Sequence, residues 1–260
     1  MCLLVLAHGC RSDYPLIVVA NRDEFHERPA EAAHWWPERN VLGGRDRRAG
    51  GSWFVVDERG RFAAVTNFRE ARGADGERSR GELPLQALAG ASNAGLEALA
   101  SNDARYAPFN LIAGEVGHVS YVSNRCPPCA ELPRGIHGLS NGCLNAPWPK
   151  VHRGRAAVGS VVQSPDEPMP AVLLDALYDH HQPDDELLPD TGVGVERERL
   201  LSAPFIVSPD YGTRSTTVLM VSASGTAIFS ERCYDADGQR VSAHEERFDL
   251  VPAVTATDDA

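Results

Sequence analysis

Short apolar runs separated by polar, glycine-containing breaks are the main pattern in this chain. Residues 2–7 and 16–20 are apolar, and residues 8–13 between them are polar and include Gly9. Two such runs around a short break are typical of a β-hairpin. Neither run has polar residues at alternate positions, so both strands are expected to be buried on both faces. Folding this hairpin near Arg11 sets position 2 opposite Ala20 or its neighbour.

The hairpin pattern recurs along the chain. Three more pairs of apolar runs flank turns that contain glycine, which supports close reversals of the chain. The predicted strand pairs are residues 53–56 with 62–65, 110–113 with 119–122, and 217–222 with 226–230.

Helical spacing of apolar positions separates these hairpins. One helix is predicted from about Pro149 to Gln163, a second over residues 169–180 after the start signal at Ser164, and a weaker one over residues 94–101. Antiparallel strands that are buried on both faces need cover on both sides, and these helices can provide it. The predicted fold is therefore α+β, a four-layer αββα sandwich of two antiparallel sheets.

Length and composition indicate one domain. The 260 residues contain no low-complexity linker, internal repeat or break in composition, so residues 1–251 are predicted to form a single domain. Residues 252–260 are predicted to be a loose tail.

The charge balance limits the possible partners. The chain has 25 basic and 36 acidic residues, a net charge of −11, which argues against a nucleic-acid binder. No apolar stretch is long enough to span a bilayer, and the N-terminus lacks a basic segment typical of a signal peptide, so we expect no integral membrane contact and a cytoplasmic location. Most clustered arginines are interpreted as a solvated surface, with Arg45 and Arg69 set apart as candidates for anion binding.

Cys2 is the first candidate for chemistry. It follows Met1 directly, so removal of Met1 would leave a residue that carries both a thiol and a free α-amine. A terminal amine can act as the base that activates its own side-chain nucleophile. The charged cluster at residues 21–24 follows the second apolar run and would lie at the open end of the hairpin, beside Cys2. Solvation of a surface loop is the alternative reason for this cluster.

The other cysteines give weaker indications of function. In a cytosolic chain, the six cysteines are not expected to form a disulfide framework. Cys126 and Cys129 have the spacing of half a zinc site, but no second pair with matching spacing follows. A zinc site, a redox pair and a rigid structural loop built on two prolines all remain open for this segment.

Several motifs in this order resemble one family. The string at residues 21–24, after an N-terminal cysteine, resembles the NRDE family, also called the transport-and-Golgi-organisation family, within the N-terminal nucleophile (Ntn) hydrolase-like superfamily. The resemblance extends from residue 2 to about residue 230. The other matching motifs are Gly43-Gly44-Arg45-Asp46, Gly50-Gly51-Ser52-Trp53, Thr66-Asn67-Phe68-Arg69 and Leu139-Ser140-Asn141-Gly142.

The resemblance implies roles for six residues in a catalytic site. Cys2 would attack a linear amide or thioester carbonyl, with its own α-amine as base, as in a hydrolase or acyltransferase that needs no metal or cofactor. Arg22 would favour the thiolate, and Asp23 would hold the terminal amine. The three remaining roles fall to Asn67 as an oxyanion donor, Asn141 as the amide that orients the terminus, and Arg214 as the late arginine of the superfamily.

A binding protein on the same scaffold is the alternative. The resemblance also implies haem mobilisation and handling of acyl-CoA or lipid, so the partner is expected to be a small molecule with an acyl or amide group, or haem. A haem iron needs an axial ligand, for which His8, His26 and Cys2 are candidates. Both histidines are more simply interpreted as structural residues with satisfied hydrogen bonds. Glu24, Arg45, Asp46 and Trp53 receive no chemical role, and bracing ion pairs are expected there.

Overall fold

Two six-stranded antiparallel sheets pack face to face in the computed structural model, which describes residues 3–71, 76–90, 95–96, 98–99, 105–128 and 130–252. The first sheet contains β1 (Leu3–His8), β2 (Leu16–Phe25), β9 (Gly135–Leu139), β10 (Tyr211–Val221), β11 (Thr226–Tyr234) and β12 (Arg240–Asp249). Its strand order is β12-β11-β10-β2-β1-β9.

The second sheet follows the chain order. It contains β3 (Ala30–Trp36), β4 (Val41–Asp46), β5 (Phe54–Asp57), β6 (Phe62–Asn67), β7 (Phe109–Glu115) and β8 (His118–Ser123), and the strands are neighbours in that order. The helices are α1 (Glu82–Ala89), α2 (Pro149–Gln163), α3 (Pro170–Ala176) and α4 (Val195–Leu200), with a short 3₁₀ turn at Asp185–Leu187.

Three layers of buried apolar side chains hold the sheets and helices together. The central layer joins the inner faces of the two sheets, for example Val18 of β2 with Phe54 and Phe62 of the second sheet. A second layer packs α2 and α3 on the outside of the first sheet, and a third packs α1 on the outside of the second sheet. The predicted αββα order is therefore confirmed.

The first hairpin is present, and its second strand is longer than predicted. Leu3 pairs with Asn21 and Leu4 with Ala20, and β2 continues to Phe25. The charged cluster at residues 21–24 is thus part of a strand. Because side chains alternate along a strand, Arg22 lies on the inner face with Val18, whereas Asn21 lies on the helix-covered face.

The other elements agree with the sequence to different degrees. The three remaining hairpins are confirmed, and α2 spans the predicted residues. The helix predicted over residues 169–180 is shorter, because α3 ends at Ala176. Half of the helix predicted over residues 94–101 is described, at residues 95–96 and 98–99, and these residues are helical; the other half, and the tail from residue 253, lie outside the described residues.

Although the sequence predicts no disulfide framework, the structure contains one disulfide. Cys126 and Cys143 are joined by a disulfide, with their Cα atoms 5.8 Å apart. The fold brings the segment after β8 beside the segment after β9, which sequence separation alone does not reveal. Cys129 is outside the described residues, so its predicted roles stay predictions. The described residues contain no group of three or more His, Cys, Asp or Glu side chains placed to hold a metal ion.

Candidate active site

A cavity of about 1090 Å³ opens at the end of the sandwich where β2 and β6 finish. Four of the six predicted site residues line it, namely Arg22, Asp23, Asn67 and Asn141. Cys2 is outside the described residues, but it precedes Leu3, which pairs with Asn21 next to Arg22. The described part of the chain therefore brings these four predicted residues together at one place.

Arg22 reaches the cavity from the inner face of β2. Its guanidinium lies over the indole of Trp53, 4.2 Å from the ring centroid, which is close enough for a cation–π interaction. It forms no ion pair with any described residue. Burial lowers the pKa of Arg22, while the charges of Glu24 and Asp46 act in the opposite direction. A buried cation without a carboxylate partner favours a negative charge beside it.

Trp53 has a role that the sequence did not reveal. The indole supports Arg22, and it packs where Gly44 has no side chain: a Cβ at Gly44 would lie 2.2 Å from Trp53 Cζ2. The Gly-Gly-Arg-Asp and Gly-Gly-Ser-Trp motifs therefore meet in space. Together they form the platform under the Arg22 side chain.

Asp23 lies on the opposite face of β2 from Arg22. Its Oδ1 accepts a hydrogen bond of 2.7 Å from the Thr213 hydroxyl, which itself accepts one of 2.9 Å from the amide of Ile206. The pairing of β10 with β2 shifts between Thr213 and Ser215, so the extra residue is Arg214. This bulge lets Thr213 meet Asp23 while Ser215 pairs with Arg22.

Asn67 and Asn141 contact each other directly. The Asn141 Nδ2 group donates to both the carbonyl oxygen and Oδ1 of Asn67, each at 2.9 Å. The segment that contains Asn141 follows β9, and the hydroxyl of Thr66 donates to the carbonyl of Ser140 at 2.7 Å. Asn110 adds a bond of 3.0 Å to the carbonyl of Gly142. These bonds attach the β9 segment to the second sheet and set the distance between the two amides.

Arg69 and Glu198 form a buried ion pair beside these amides. Their side chains are 6% and 4% exposed. Arg69 also donates to Asn141 Oδ1 at 3.2 Å and lies 5.0 Å from the ring centroid of Trp148. Sequence reasoning set Arg69 apart as a possible anion site but did not identify Glu198, which is 129 positions away and belongs to no recognised motif.

Arg214 is not among the described residues that line the cavity. Its Nη1 group donates to the carbonyl oxygens of Phe25 and His26 at 3.0 Å each and of Arg28 at 3.3 Å. It therefore stabilises the chain as it leaves β2. The site role implied by the resemblance stays a prediction for this residue.

The expected bracing ion pairs are present. Arg28 pairs with Asp46 at 2.6 Å and lies 3.8 Å from Glu24. Arg45 pairs with Glu38 at 2.8 Å and stacks on Trp36, 4.5 Å from the ring centroid. The Arg28 cluster braces the cavity wall, because all three of its members line the cavity.

The two histidines differ from each other. His26 Nε2 lies 3.0 Å from the carbonyl oxygen of Ser208, so the expectation of a satisfied histidine holds for this nitrogen. His8 is buried at the end of β1 away from Leu3, and its Nδ1 has no hydrogen-bond partner among the described residues, contrary to the prediction. Burial lowers the pKa of His8, with a further contribution from His137. Neither histidine lines the cavity.

Comparisons with known proteins give a consistent family match. The family model described as Transport and Golgi organisation 2 (TANGO2) matches residues 1–236. The chain is 35% identical over 246 residues to a Transport and Golgi organization protein 2 homolog of Bos taurus, which covers 85% of this chain and 87% of the relative. It is 27% identical to Transport and Golgi organization protein 2 of Drosophila melanogaster, with 90% of this chain and 92% of the relative covered.

Among solved structures, the chain is similar to the Caenorhabditis elegans ortholog of N-acylethanolamine-hydrolyzing acid amidase. The TM-score is 0.44 at 10% identity, and the match covers 84% of this chain and 92% of that one. Within the described residues, none of the helices has the length and apolar character needed to cross a bilayer.

Proposed function

This chain belongs to the Transport and Golgi organisation 2 family, and we propose that its cavity is the active site of a cysteine N-terminal nucleophile enzyme. The substrate would be a linear amide or thioester, and Cys2 would be the nucleophile after removal of Met1. One observation carries the proposal: Arg22, Asp23, Asn67 and Asn141 line one cavity at the edge where β1 begins.

Chain connectivity supports a role for Cys2 at this cavity. Consecutive Cα atoms are about 3.8 Å apart, so Cys2 is bound to the neighbourhood of Leu3 and its partner Asn21. Arg22, one residue further along β2, supplies a buried positive charge. A nearby guanidinium lowers the pKa of a thiol by favouring its anion. Asp23 would hold the terminal amine and offset the positive charge that the amine gains when it takes the thiol proton.

The proposed reaction has two steps. The α-amine of Cys2 takes the thiol proton, the sulfur attacks the carbonyl carbon, and the carbon–nitrogen bond breaks as the proton passes to the leaving nitrogen. A water molecule, or another acceptor in an acyltransferase, then cleaves the thioester and regenerates the thiol. Asn67 would donate to the oxyanion in each tetrahedral intermediate, a contribution of about 2.7–4 kcal/mol for one side-chain amide.

Mass spectrometry and alkylation test this proposal. The purified protein should lack Met1, and iodoacetamide at neutral pH should label Cys2 before the two free cysteines that the structure describes. Cys10 and Cys233 are internal references, because burial raises the pKa of both and, with the charge of Glu231, brings that of Cys233 to about 11. Cys2→Ala should lose only the fast phase. Retention of Met1, or a Cys2 that reacts no faster than Cys10, would contradict the proposal.

Two arginines at the cavity favour a second candidate, a binding protein for an anionic acyl ligand such as acyl-CoA. Arg48 and Arg197 line the cavity and form no ion pair with any described residue. Charge-neutral variants, Arg48→Gln and Arg197→Gln, should weaken the binding of a fluorescent acyl-CoA while leaving Cys2 alkylation unchanged. If neither variant weakens binding, the arginines do not serve an anionic ligand.

The haem version of this candidate is narrower. Neither His8 nor His26 lines the cavity. Of the three candidate axial ligands, only Cys2 is therefore kept for haem bound in the cavity. A haem titration that produces a Soret band in the wild type and a shifted or absent band in Cys2→Ala would support it. Identical bands in the two proteins would reject cavity binding through Cys2.

A further inference from the structure

The buried ion pair of Arg69 and Glu198 contacts Asn141, one of the two amides at the cavity. This inference rests on the proposed function and adds to it two positioning residues. We propose that Glu198 holds Arg69, that Arg69 orients Asn141, and that Asn141 in turn orients Asn67 so that its Nδ2 group serves as the oxyanion donor.

The first step is the ion pair. Glu198 Oε2 accepts from Arg69, and Glu198 Oε1 accepts from the amide of Thr191 at 2.9 Å and from its hydroxyl at 2.5 Å. Both oxygens of the carboxylate are therefore occupied. Trp148 stacks on the same guanidinium, so Arg69 is held by a charge on one side and a ring on another.

The second step depends on what a guanidinium can do. Arginine has only donors, so the atom of Asn141 that it contacts at 3.2 Å must be the acceptor Oδ1. The hydroxyl of Ser140 also donates to this oxygen, at 3.3 Å. The amide of Asn141 is therefore held in one of its two orientations, with its donor end toward Asn67.

The third step follows from the contact between the amides. The Nδ2 group of Asn141 donates to Asn67 Oδ1, so the Asn67 end that contacts Asn141 is its acceptor. The remaining end of this side chain, Nδ2, is a double donor, and Asn67 lines the cavity. A donor is the group that a developing oxyanion requires at this position. A reversed amide would present an oxygen to the oxyanion and repel it.

This arrangement also connects one wall of the cavity to the proposed oxyanion donor, Asn67. Arg197, Leu200 and Leu201 line the cavity on or next to α4, and Glu198 lies on the same short helix. The Arg69–Glu198 pair therefore attaches this wall to the β6 segment. A change at Glu198 acts on the Asn67 amide through Arg69 and Asn141.

Two reactions of Cys2 separate this role from a general effect on the nucleophile. Acetylation by p-nitrophenyl acetate passes through a tetrahedral oxyanion, whereas alkylation by iodoacetamide does not. The measured quantity is the ratio of the acetylation rate to the alkylation rate, with Cys2→Ala as the background. Asn67→Leu should lower this ratio by roughly 100- to 1,000-fold.

Arg69→Gln and Glu198→Gln should lower the ratio by about tenfold or more. The first variant removes the charged group that can only donate to Asn141, and the second removes the carboxylate that holds this group in place. Arg69→Lys retains a group that can only donate, and it should recover part of the ratio lost in Arg69→Gln. Asp57→Asn breaks another partly buried ion pair, with Arg61, and it should leave the ratio at the wild-type value. Melting curves of each variant identify those that do not fold.

The outcomes distinguish the two levels of the proposal. The positioning role is wrong, and the proposed active site stands, if Asn67→Leu lowers the ratio but Arg69→Gln and Glu198→Gln leave it unchanged. This includes the case in which Arg69→Gln and Glu198→Gln slow acetylation and alkylation equally. If wild-type Cys2 is not acetylated, or Asn67→Leu leaves the ratio unchanged, the proposed function fails and the positioning role fails with it.

Discussion

Gly44→Ala tests the platform under Arg22 directly. The added Cβ would lie 2.2 Å from Trp53 Cζ2 and 2.4 Å from Cη2, whereas carbon atoms pack at about 3.5–4.0 Å. The indole or the β4 backbone must therefore move by more than about 1 Å. Neither is the free end of a flexible chain, because Trp53 is buried and Gly44 is within a strand.

The expected cost has two parts. Overpacking a well-packed core costs about 1–3 kcal/mol, and disturbing a desolvated cation–π contact costs about 0.5–2 kcal/mol. We therefore expect a loss of about 1.5–5 kcal/mol in the free energy of unfolding. At about 2–4 °C per kcal/mol for a chain of this size, the melting temperature should fall by about 3–20 °C.

Gly159→Ala is the matched control, because it is the same substitution with the opposite expected sign. Gly159 lies inside α2, and its added Cβ would meet only the end of the Ile136 side chain, at 3.2 Å. Replacing a helical glycine with alanine gains about 0.5–1 kcal/mol, so this variant should melt at a higher temperature than the wild type.

Thermal unfolding followed by circular dichroism measures both variants. In Gly44→Ala, the alkylation of Cys2 should also need a higher pH, because Arg22 would no longer be held beside the thiol. A Gly44→Ala protein with the same melting temperature as the wild type would refute the packing argument. One that is destabilised but shows an unchanged pH profile of alkylation would refute the link between Trp53 and Arg22.

Two further predictions concern groups away from the cavity. Burial raises the pKa of Glu231, which accepts from the amide of Ala33, so ionisation penalises the folded state as pH rises above about 4.3. The melting temperature of Glu231→Gln should therefore rise above that of the wild type as the pH increases from about 4 to neutrality, and the two should be equal below that range. A difference in melting temperature that is constant with pH would contradict this. Cys143→Ser removes the disulfide to Cys126. In melting curves it should lower the free energy of unfolding by about 3 kcal/mol in non-reducing buffer and leave it unchanged in dithiothreitol. Equal melting temperatures of the variant and the wild type without reductant would count against a stabilising disulfide.

Patterns within short windows predicted much of the fold, and sequence motifs identified four residues that line the cavity. The four hairpins and α2 follow from alternation of apolar runs with turns and from helical spacing, which are local properties. Strands β4 and β12 were missed for the same reason: β4 contains two glycines, and every residue of β12 is exposed or only half-buried, so neither shows an apolar run. Their place in a sheet depends on the neighbouring strand.

The sequence by itself determined the candidates at this site, because Arg22, Asp23, Asn67 and Asn141 belong to recognisable motifs. Tertiary structure alone decided how they are held. The indole under Arg22, the carboxylate that holds Arg69 and the cysteine that joins Cys126 come from segments that are distant in the chain. Ion pairs, ring stacking and amide orientation depend on distances of a few ångströms between such segments. Those distances exist only after both sheets have packed.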